Sequence, residues 1–361
     1  MTRLVVGRRV VARAPVRVAD VGGWTDTWFG SPGQVCSLAV GPGVEVSAAL
    51  VARGPGDDLP VRLVSSALGL DGRTGPSDDG WAFPLPGEHP LLEHAIGTVL
   101  ESVALPPEVG LDITITTAVP AGASLGTSAA VVVAILGALD ALVADGERSP
   151  EELARLAHWV ETVAAGRESG VQDQWSAVMG GCGLLAVGPY PDARHEEVEL
   201  SSSTMGALGR RLVTVVFEPH DSSAVHHEVI HLLTACGGAE HDRARQAMRR
   251  LASLAAEAAS ALEHGDIDRW AGILSESTHV QASLHPSLVG PSHHAAIEVA
   301  RSLGATGWKV NGAGGAGGSL TVVAAERAGA AADLAVALSA TDPAWRLVDL
   351  TPAPSLSVTN I

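Results

Sequence analysis

Two carboxylates twelve residues apart, Glu161 and Asp173, have the residue type and surroundings of groups that bind a metal or accept a proton. Glu161 falls at the edge of the apolar face of a helix predicted to start at Ser149. A carboxylate there needs a partner, because the burial of a lone charge is costly. Mg²⁺ takes oxygen ligands, usually one or two carboxylates with phosphates and water. Asp173, in the sequence Gln-Asp-Gln, could instead cap a short helix that begins before Trp175.

A loop of small residues, PAGASLGTSAA over Pro120–Ala130, has the layout that holds a phosphate group. It lies between an alternating strand at 111–117 and an apolar helix from Ser128 to about Val143. Such a loop can approach an anion closely, and the first N–H groups of the helix have no partner within the helix. The loop is not a Walker motif, because no lysine follows a glycine at the helix start. A small-residue loop before a helix can also be an ordinary turn. The loop therefore indicates a phosphate site only in combination with other motifs.

Two further segments accompany this loop, one near each end of the chain. They are RAPVRVADVGGWTDTW at 13–28 and GWKVNGAGGAGGSLTVV at 307–323. Five of the seven residues over 312–318 are glycine, which favours a close backbone approach between two apolar strands, although a flexible hairpin loop has the same composition. Lys309, just before the glycines, is either a solvated strand residue or a phosphate contact.

In this order and spacing the three segments resemble the signature motifs of the GHMP kinase superfamily, which includes galactokinase, homoserine kinase, mevalonate kinase and phosphomevalonate kinase. A fourth segment, GVQDQWSAVMGG at 170–181, is similar to the catalytic-aspartate segment of the sugar-kinase branch. Within that branch the chain resembles the heptose 7-phosphate kinases and related bacterial sugar kinases. The resemblance implies an α+β fold of two domains, an N-terminal ribosomal-protein-like domain and a C-terminal ferredoxin-like domain, with the active site in the cleft between them.

The resemblance also implies ATP as phosphoryl donor, Mg²⁺ as cofactor and a role for individual residues. Asp173 matches the catalytic base, and Arg17 matches a basic residue that stabilises charge on the transferred group or tunes the base. Ser128 and Glu161 match metal ligands. The residues expected to hold the nucleotide are Pro120, Gly122, Ser124, Leu125, Gly126, Thr127, Ser128 and Ala129. Those expected to bind the acceptor are Gly23, Thr25, Asp26, Gln172, Gly312, Gly314 and Gly315.

Two positions of the phosphate loop carry a qualification. Relatives usually have glycine where this chain has Ser124, and a serine would be strained if that position requires a positive φ. Ser128 has the alternative role of a helix N-cap, and one residue can serve as both cap and metal ligand.

The composition restricts the classes of partner. The net charge of −17 over 361 residues argues against nucleic acid and against an anionic membrane surface. The three cysteines, Cys36, Cys182 and Cys236, show neither disulfide nor metal spacing, and no signal peptide is evident, so we expect a cytoplasmic protein. The apolar run at 129–144 is shorter than the roughly 20 residues that span a bilayer, and we expect it to be a buried helix.

Spacing and composition predict the order of elements. A strand is expected over 44–50 and a helix over 91–103, and a looser stretch at 188–203 predicts a junction between domains 1–190 and 204–361. The second half is expected to have a strand at 212–217, helices at 224–235, 242–264, 267–283 and 291–303, strands at 306–310 and 319–325, a helix at 328–339 and a strand at 345–350. Without the additional helices this order is β-α-β-β-α-β, which is typical of ferredoxin-like domains.

Histidines near residue 230 suggest another chemistry. His227 and His231 stand four apart on a predicted helix, as in some zinc sites, but no carboxylate or cysteine completes a recognisable ligand set. The resemblance instead places acceptor recognition in this region, where Ser222, Ser223 and His226 are candidates.

The leading hypothesis is phosphorylation of a hydroxyl, the anomeric one, of a sugar or sugar phosphate, with a heptose 7-phosphate as the acceptor. The alternatives are a kinase of a free sugar of the galactose, fucose, arabinose or uronic acid type, and a sugar and ATP sensor without turnover. An acceptor phosphate requires additional cations in its pocket, and Arg210, Arg211 and Lys309 are candidates. A homodimer is a possible assembly.

Overall fold

Two large sheets and the helices packed on them form the computed structural model of the protein, which describes residues 4–54, 56–57, 59–77, 80–81, 85, 89–103, 105–144, 148–218 and 223–361. The strands are β1 Arg9–Val21, β2 Gly33–Ala52, β3 Val61–Ser65, β4 Leu70–Thr74, β5 Pro76–Ser77, β6 Gly80–Trp81, β7 Val109–Thr117, β8 Cys182–Val187, β9 Ala193–Glu197, β10 Leu212–Val216, β11 Gly307–Val310, β12 Ser319–Val323, β13 Arg346–Val348, β14 Thr351–Pro352 and β15 Ser357–Asn360. The helices are α1 Pro90–Leu100, α2 Thr127–Val143, α3 Pro150–Trp159, α4 Gln172–Met179, α5 Ser202–Arg211, α6 Ser223–Thr234, α7 Ala239–Glu263, α8 Ile267–Leu284, α9 Pro291–Ser302 and α10 Ala330–Thr341.

The first sheet is organised around the long strand β2. Its second half pairs with β7, its first half pairs with β8, and its other edge pairs with β1. The order β15-β1-β2-β7-β3-β4 is antiparallel except between β3 and β7. The stretch predicted as a strand over 44–50 lies within β2 and alternates buried with partly exposed residues, as its sequence indicates.

Helix α2 packs on β1 and β2. Its sequence is apolar on every side, which is typical of a helix that is covered all round. The helix is indeed buried over most of its length, so the prediction of a buried helix is confirmed. Among the described residues, no helix combines the length and the hydropathy that a bilayer crossing requires.

Helix α3 begins where the sequence predicts, at a capping box. Ser149 Oγ accepts a hydrogen bond from the backbone N–H of Glu152, and Glu152 Oε2 accepts one from the backbone N–H of Ser149. The helix continues into one turn of π-helix at Val160–Ala164, and this turn carries Glu161. The wider turn re-aims the side chains that follow it.

The second sheet has the order β11-β12-β10-β13, with every neighbouring pair antiparallel. In chain order β10, β11, β12 and β13 are the four strands of a β-α-β-β-α-β unit. Their spatial order in the sheet, second-third-first-fourth, is the one expected of a ferredoxin-like domain. Helices α9 and α10 share its apolar core. The prediction of an α+β fold with a ferredoxin-like C-terminal part is therefore confirmed.

Elements from both halves of the chain contribute to the first sheet. Strand β9 lies inside the stretch at 188–203 and pairs with β8, while β14 and β15 return to β2 and β1 from the far end of the chain. Helices α7 and α8 also share the core of that sheet. A division into domains 1–190 and 204–361 stays a prediction.

Substitution of Ser149 by alanine is expected to lower the free energy of unfolding by about 1 kcal/mol, because it removes one side of the capping box of α3. Urea denaturation measures this difference. Ser253→Ala, at an exposed position inside α7, is the matched control and is expected to change stability little. Equal effects of the two substitutions would contradict the assignment of a stabilising cap.

Candidate active site

A largely buried ion pair joins strand β1 to helix α4. Arg17, on β1, donates from Nε to Asp173 Oδ1 at 2.8 Å and from Nη2 to Asp173 Oδ2 at 3.2 Å. Arg17 is 4% exposed. Burial disfavours its charge, but Asp173 and Asp20 outweigh this effect and raise the pKa of Arg17 above its ordinary value. A two-point contact of this kind fixes the orientation of the carboxylate.

Asp173 is the second residue of α4, whose N-cap is Val171. It therefore does not serve as the cap, which was the alternative role that its sequence suggested. Gly126 brings the start of α2 against the same carboxylate, since a Cβ atom on Gly126 would lie 3.1 Å from Asp173 Cγ. The N-termini of α2 and α4 thus meet at Asp173, and both contribute N–H groups that favour negative charge.

The phosphate loop is held by β1 and bends through left-handed residues. Leu125 O accepts from the backbone N–H of Arg17 at 3.0 Å, and Ser124 O accepts from Arg17 Nη1 at 2.5 Å. Gly122, Ser124 and Gly126 all have positive φ, with Ser124 at 56°. The left-handed conformation that sequence reasoning considered for Ser124 is thus present, at a position where a side chain is strained.

A cavity of 480 Å³ opens beside this loop. Its lining contains the loop residues 121–128 together with Arg17, Asp173 and Gly312, whereas Pro120 and Ala129 do not line it. The rest of the lining is mostly apolar and includes Leu68, Leu91, Leu92 and Ile115. A loop backbone combined with apolar walls suits a ligand with a phosphate tail and a flat organic group.

Oxygen atoms suited to Mg²⁺ converge at the start of α2. Ser128 Oγ donates to Glu161 Oε1 at 3.2 Å, and Gln174 Nε2 donates to Glu161 Oε2 at 2.7 Å. Ser128 is exposed and Glu161 is buried. Burial, and next the charge of Asp173, raise the pKa of Glu161, while its two hydrogen bonds oppose the shift. A hard cation would relieve this unfavourable burial, so the donor set fits Mg²⁺ with phosphate oxygens as the remaining ligands.

Asp26, a predicted acceptor residue of the first motif, lies next to the start of α4, the helix that carries Asp173. Asp26 is buried, and its Oδ2 accepts from the backbone N–H of Gln172 at 3.0 Å. Gly170 permits this approach, because a Cβ atom there would lie 2.0 Å from Asp26 Oδ2. Burial, which the Gln172 hydrogen bond opposes, raises the pKa of Asp26 from 3.8 to about 6. Gln172 Oε1 is buried and has no hydrogen-bond partner among the residues that the structure describes, so this corner retains acceptor capacity.

Two other residues of that motif stabilise the turn. Thr25 Oγ1 donates to Gly22 O and lies 3.0 Å from Gln34 O, which leaves it little capacity for a ligand. Gly23 is a close-packing residue, since a Cβ atom there would lie 2.8 Å from Asp20 Oδ2. Their contribution to the site is the shape of the turn that carries Asp26.

The third motif divides between the cleft and the body of the C-terminal half. Gly312 lines the cavity, and its N–H donates to both oxygens of Asp20 at 3.0 Å. Gly314 and Gly315 instead pack against Leu288, where Gly315 N donates to Leu288 O at 3.0 Å. Of the three predicted glycines, only Gly312 lies against the phosphate loop.

The structure gives the three candidate cations other partners. Lys309 is buried, and Nζ donates to Gln281 Oε1 at 2.8 Å and to Val310 O. It is thus neither solvated nor a cavity residue. Arg211 donates to Ala324 O and pairs with Asp268 at 2.5 Å, and Arg210 is exposed on α5. None of the three lines the cavity.

Arg167 is the cavity-lining cation that sequence reasoning missed. It is exposed, shares the lining with Ser128 and Asp173, and within the described part of the chain its guanidinium makes no hydrogen bond or ion pair. Among the described residues no group of three or more His, Cys, Asp or Glu side chains is arranged for a metal ion. His227 and His231 are exposed on α6, and Ser222 lies outside the described residues.

Comparison with known proteins identifies the fold. Residues 91–181 match the family model described as the GHMP kinases N terminal domain, and this stretch contains the phosphate loop, Glu161 and Asp173. Over this stretch the chain is similar to the GHMP kinases. A solved D-glycero-D-manno-heptose 1-phosphate kinase from Bacteriodes thetaiotaomicron has the same fold, with a TM-score of 0.71 and 20% identity over 98% of this chain and 99% of that chain.

Two curated proteins resemble the chain in sequence. The mevalonate kinase of Pyrococcus abyssi is 31% identical over 228 residues, which is 63% of this chain and 63% of that protein. The chain thus aligns with less than two thirds of that relative's length. The bifunctional fucokinase/GDP-fucose pyrophosphorylase of Arabidopsis thaliana is 27% identical over 330 residues, which is 87% of this chain and 30% of that protein.

Replacement of Ser124 by glycine is expected to raise the free energy of unfolding by about 0.5–1 kcal/mol. The left-handed conformation costs an L-residue roughly 1–2 kcal/mol, and the greater freedom of glycine in the unfolded chain offsets part of the gain. Urea denaturation measures the difference. Ser124→Ala keeps the strained φ and is the matched control; a gain of equal size in that variant would contradict strain as the cause.

Asp26→Asn is expected to stabilise the protein more at pH 7.5 than at pH 4. The folded protein retains the Asp26 proton up to about pH 6, whereas the unfolded chain releases it near 3.8, so the wild-type protein loses stability as the pH rises through this window. Asparagine removes the loss, and the difference between the variants should grow by about 2–3 kcal/mol. Denaturation curves at several pH values test this; a difference independent of pH would contradict the raised pKa.

Proposed function

We propose that the protein transfers the γ-phosphoryl group of ATP, in the presence of Mg²⁺, to a hydroxyl group of a sugar. The observation that carries the proposal is the position of the Arg17–Asp173 pair. Asp173 lies against Gly126 of the phosphate loop, shares a cavity with Ser128, and follows Gln172, whose backbone N–H donates to Asp26. Phosphoryl transfer requires a cradle, a metal and a group that positions the attacking hydroxyl, and these parts occur here in that order.

In the proposed reaction Asp173 accepts the proton of the acceptor hydroxyl. The oxygen of that hydroxyl forms a bond to the γ-phosphorus. The bond between this phosphorus and the oxygen that links it to the β-phosphate breaks, and ADP leaves with that oxygen. Arg17 holds the Asp173 carboxylate in one orientation and supplies positive charge next to the transferred group. The N–H groups at the start of α2 would hold the nucleotide phosphates.

Ser128 and Glu161 would hold Mg²⁺ with the nucleotide phosphates. The ion supplies neutralisation of phosphate charge when it is bound. Gln174 keeps one Glu161 oxygen in place through its 2.7 Å hydrogen bond, which leaves the other oxygen toward Ser128. Arg167 is the exposed guanidinium on the cavity wall, and we assign it to the phosphates of the nucleotide because it lies with the loop in the same cavity.

The charges around the acceptor residues favour a sugar without a phosphate group. Asp26 and Asp173 repel each other electrostatically. His226 lies near the negative charge of Glu168, and the centroid of its ring is 4.7 Å from that of Trp24. Burial lowers the pKa of His226, so the ring is uncharged at neutral pH. A second negative charge on the acceptor would be repelled in these surroundings.

Four described cations that could bind an acceptor phosphate are already engaged, and Arg167, which is not, is assigned above to the nucleotide. Lys309 donates to Gln281, and Arg211 pairs with Asp268. Arg245, near the same helices as His226, donates to Phe29 O and Leu233 O. Arg17 is occupied by Asp173. The free-sugar alternative is therefore favoured over a heptose 7-phosphate acceptor, since a phosphate needs one or two unengaged cations.

The names of the two relatives include two different acceptors, mevalonate and fucose. The charges near Asp26 favour one of them over the other. Mevalonate carries a carboxylate, which also needs a cation, whereas fucose is uncharged. The protein named for fucokinase activity aligns with 87% of this chain, and its acceptor class agrees with the charges at Asp26 and Glu168. A sensor that binds without turnover is disfavoured because Ser128, Glu161 and Asp173 are all present in one cluster.

Release of ADP from MgATP across a panel of acceptors tests the function. The panel pairs free hexoses, 6-deoxyhexoses, pentoses and heptoses with their phosphates, and adds uronic acids, mevalonate and homoserine. Turnover on a free sugar and little on its phosphate is the expected result. Turnover that requires the phosphate would overturn the choice of acceptor but keep the kinase, and silence on every acceptor despite ATP binding would favour the sensor.

Asp173→Asn is expected to reduce kcat by about 10²–10⁴-fold and to retain ATP binding, because the general base is lost and the phosphate loop remains. ADP release measures kcat, and calorimetry measures ATP binding. Asp71→Asn is the matched control, because Asp71 pairs with an arginine, Arg62, on the surface of the first sheet. Near-full activity of Asp173→Asn would remove Asp173 from this role.

A further inference from the structure

Strand β1 contains an irregularity immediately after Arg17. Its pairing with β2 runs from Val18–Leu38 to Val21–Cys36, so β1 has one residue more than its partner over this interval. Ala19 has a φ of 56° at this point. A bulge of this kind re-aims the side chains next to it.

The bulge contains a buried carboxylate, Asp20, the one acidic residue of β1. Asp20 is 0% exposed. Both of its oxygens lie 3.0 Å from the backbone nitrogen of Gly312, and Oδ1 lies 3.9 Å from Arg17 Nη1. A buried charge is tolerated only with such partners, and its nearest partners are one backbone N–H of the third motif and the guanidinium that binds Asp173.

The C-terminal half holds Gly312 from its other side. Gln281 Nε2, on α8, donates to Gly312 O at 3.0 Å, and Lys309 Nζ donates to Gln281 Oε1 at 2.8 Å. Next to this, Asn311 Oδ1 accepts from the backbone N–H of Ala19 at 2.9 Å. Both polar backbone groups of Gly312 are thus engaged, one by each half of the chain.

Gly312 is also in close contact with the catalytic groups. A Cβ atom on Gly312 would lie 2.9 Å from Ser124 O and 3.2 Å from Arg17 Nη2. Any displacement of Gly312 therefore changes the space left for Arg17 and for the phosphate loop. Because Arg17 orients Asp173, a displacement of this size would also reach the proposed base.

We propose that Asp20 is a positioning residue, which binds Gly312 of the C-terminal half and Arg17 of the N-terminal half at once and so sets the geometry of Arg17 and Asp173 across the cleft. The proposal rests on the proposed phosphoryl transfer. Asp20 touches neither substrate in it. Its effect on turnover passes through Arg17 and through the loop that begins at Gly312.

The first arm of the test needs no turnover. Hydrogen exchange is measured for the segment 311–318 in the full chain. Asp20→Asn keeps the shape of the side chain, but it removes the negative charge near Arg17 and replaces one of the two oxygens that face Gly312 N–H by an NH₂ donor. Exchange in the segment should therefore accelerate about tenfold. Asp140→Asn is the matched control, because Asp140 is also buried and pairs with an arginine, Arg148, away from the cleft.

A second variant reaches the same link from α8. Gln281→Glu keeps the size of the side chain and an acceptor for Lys309, but it removes the donor to Gly312 O. It should accelerate exchange in the same segment. It thereby keeps the test open should Asp20→Asn fold poorly.

The second arm measures kcat and KM with the acceptor that the panel identifies. Asp20→Asn should lower kcat by on the order of tenfold to a hundredfold, with KM for ATP changed by less than about threefold. If Asp20→Asn only damaged the fold, its melting temperature would fall, and the control Asp140→Asn would lose a similar amount of active enzyme.

Wild-type exchange of the segment in both Asp20→Asn and Gln281→Glu would overturn the link between Asp20 and Gly312. Accelerated exchange with unchanged kcat would overturn its role in positioning. Absence of turnover on every acceptor in the wild-type protein would be a failure of the proposed function alone. The link between Asp20 and Gly312 would still be tested by hydrogen exchange, and an unchanged exchange rate in both variants would overturn it.

Discussion

The site depends on the burial of one guanidinium group, that of Arg17. A buried arginine requires several partners, and removal of a partner from a buried ion pair typically costs about 3–5 kcal/mol. Arg17 has Asp173 on α4, the carbonyl of Ser124 in the phosphate loop, and Asp20 on its own strand. A helix start, a strained loop and a strand bulge are therefore located by a single side chain. The chemistry that we propose is possible because these three features meet at Arg17.

Much of the fold follows from local sequence patterns. The capping box at Ser149 and the all-round apolar character of α2 depend only on neighbouring residues, and both were predicted from the sequence. Strands β14 and β15 were not predicted, because they are short and pair with strands far away in the chain. Strand β9 was also missed, because its sequence, ARHEE, is mostly charged and has no apolar alternation. The π-helical turn at Glu161 was also missed, since the hydrophobic spacing of a helix does not report a single widened turn.

The candidate site could be predicted where it consists of motifs and could not where it consists of contacts between distant residues. Asp20 reads as an isolated polar residue in a strand, and its partner Gly312 lies 292 positions away. Gln281 and Gln174 are buried amides whose roles depend on which carbonyl or carboxylate lies opposite. Lys309 appears in sequence as a cation next to a glycine-rich loop, and only the packing of α8 against β11 shows that its charge is turned inward.

Strand β1, which carries Arg17, is paired on one edge with β2 and on the other with β15, where Val10 lies opposite Asn360. A contact between residues so far apart in sequence closes a loop of nearly the entire chain, and such contacts slow folding. During synthesis on the ribosome this edge of β1 stays unpaired until the last strand has emerged. The strand that carries Arg17 therefore acquires its second pairing partner only after synthesis of the second sheet has finished.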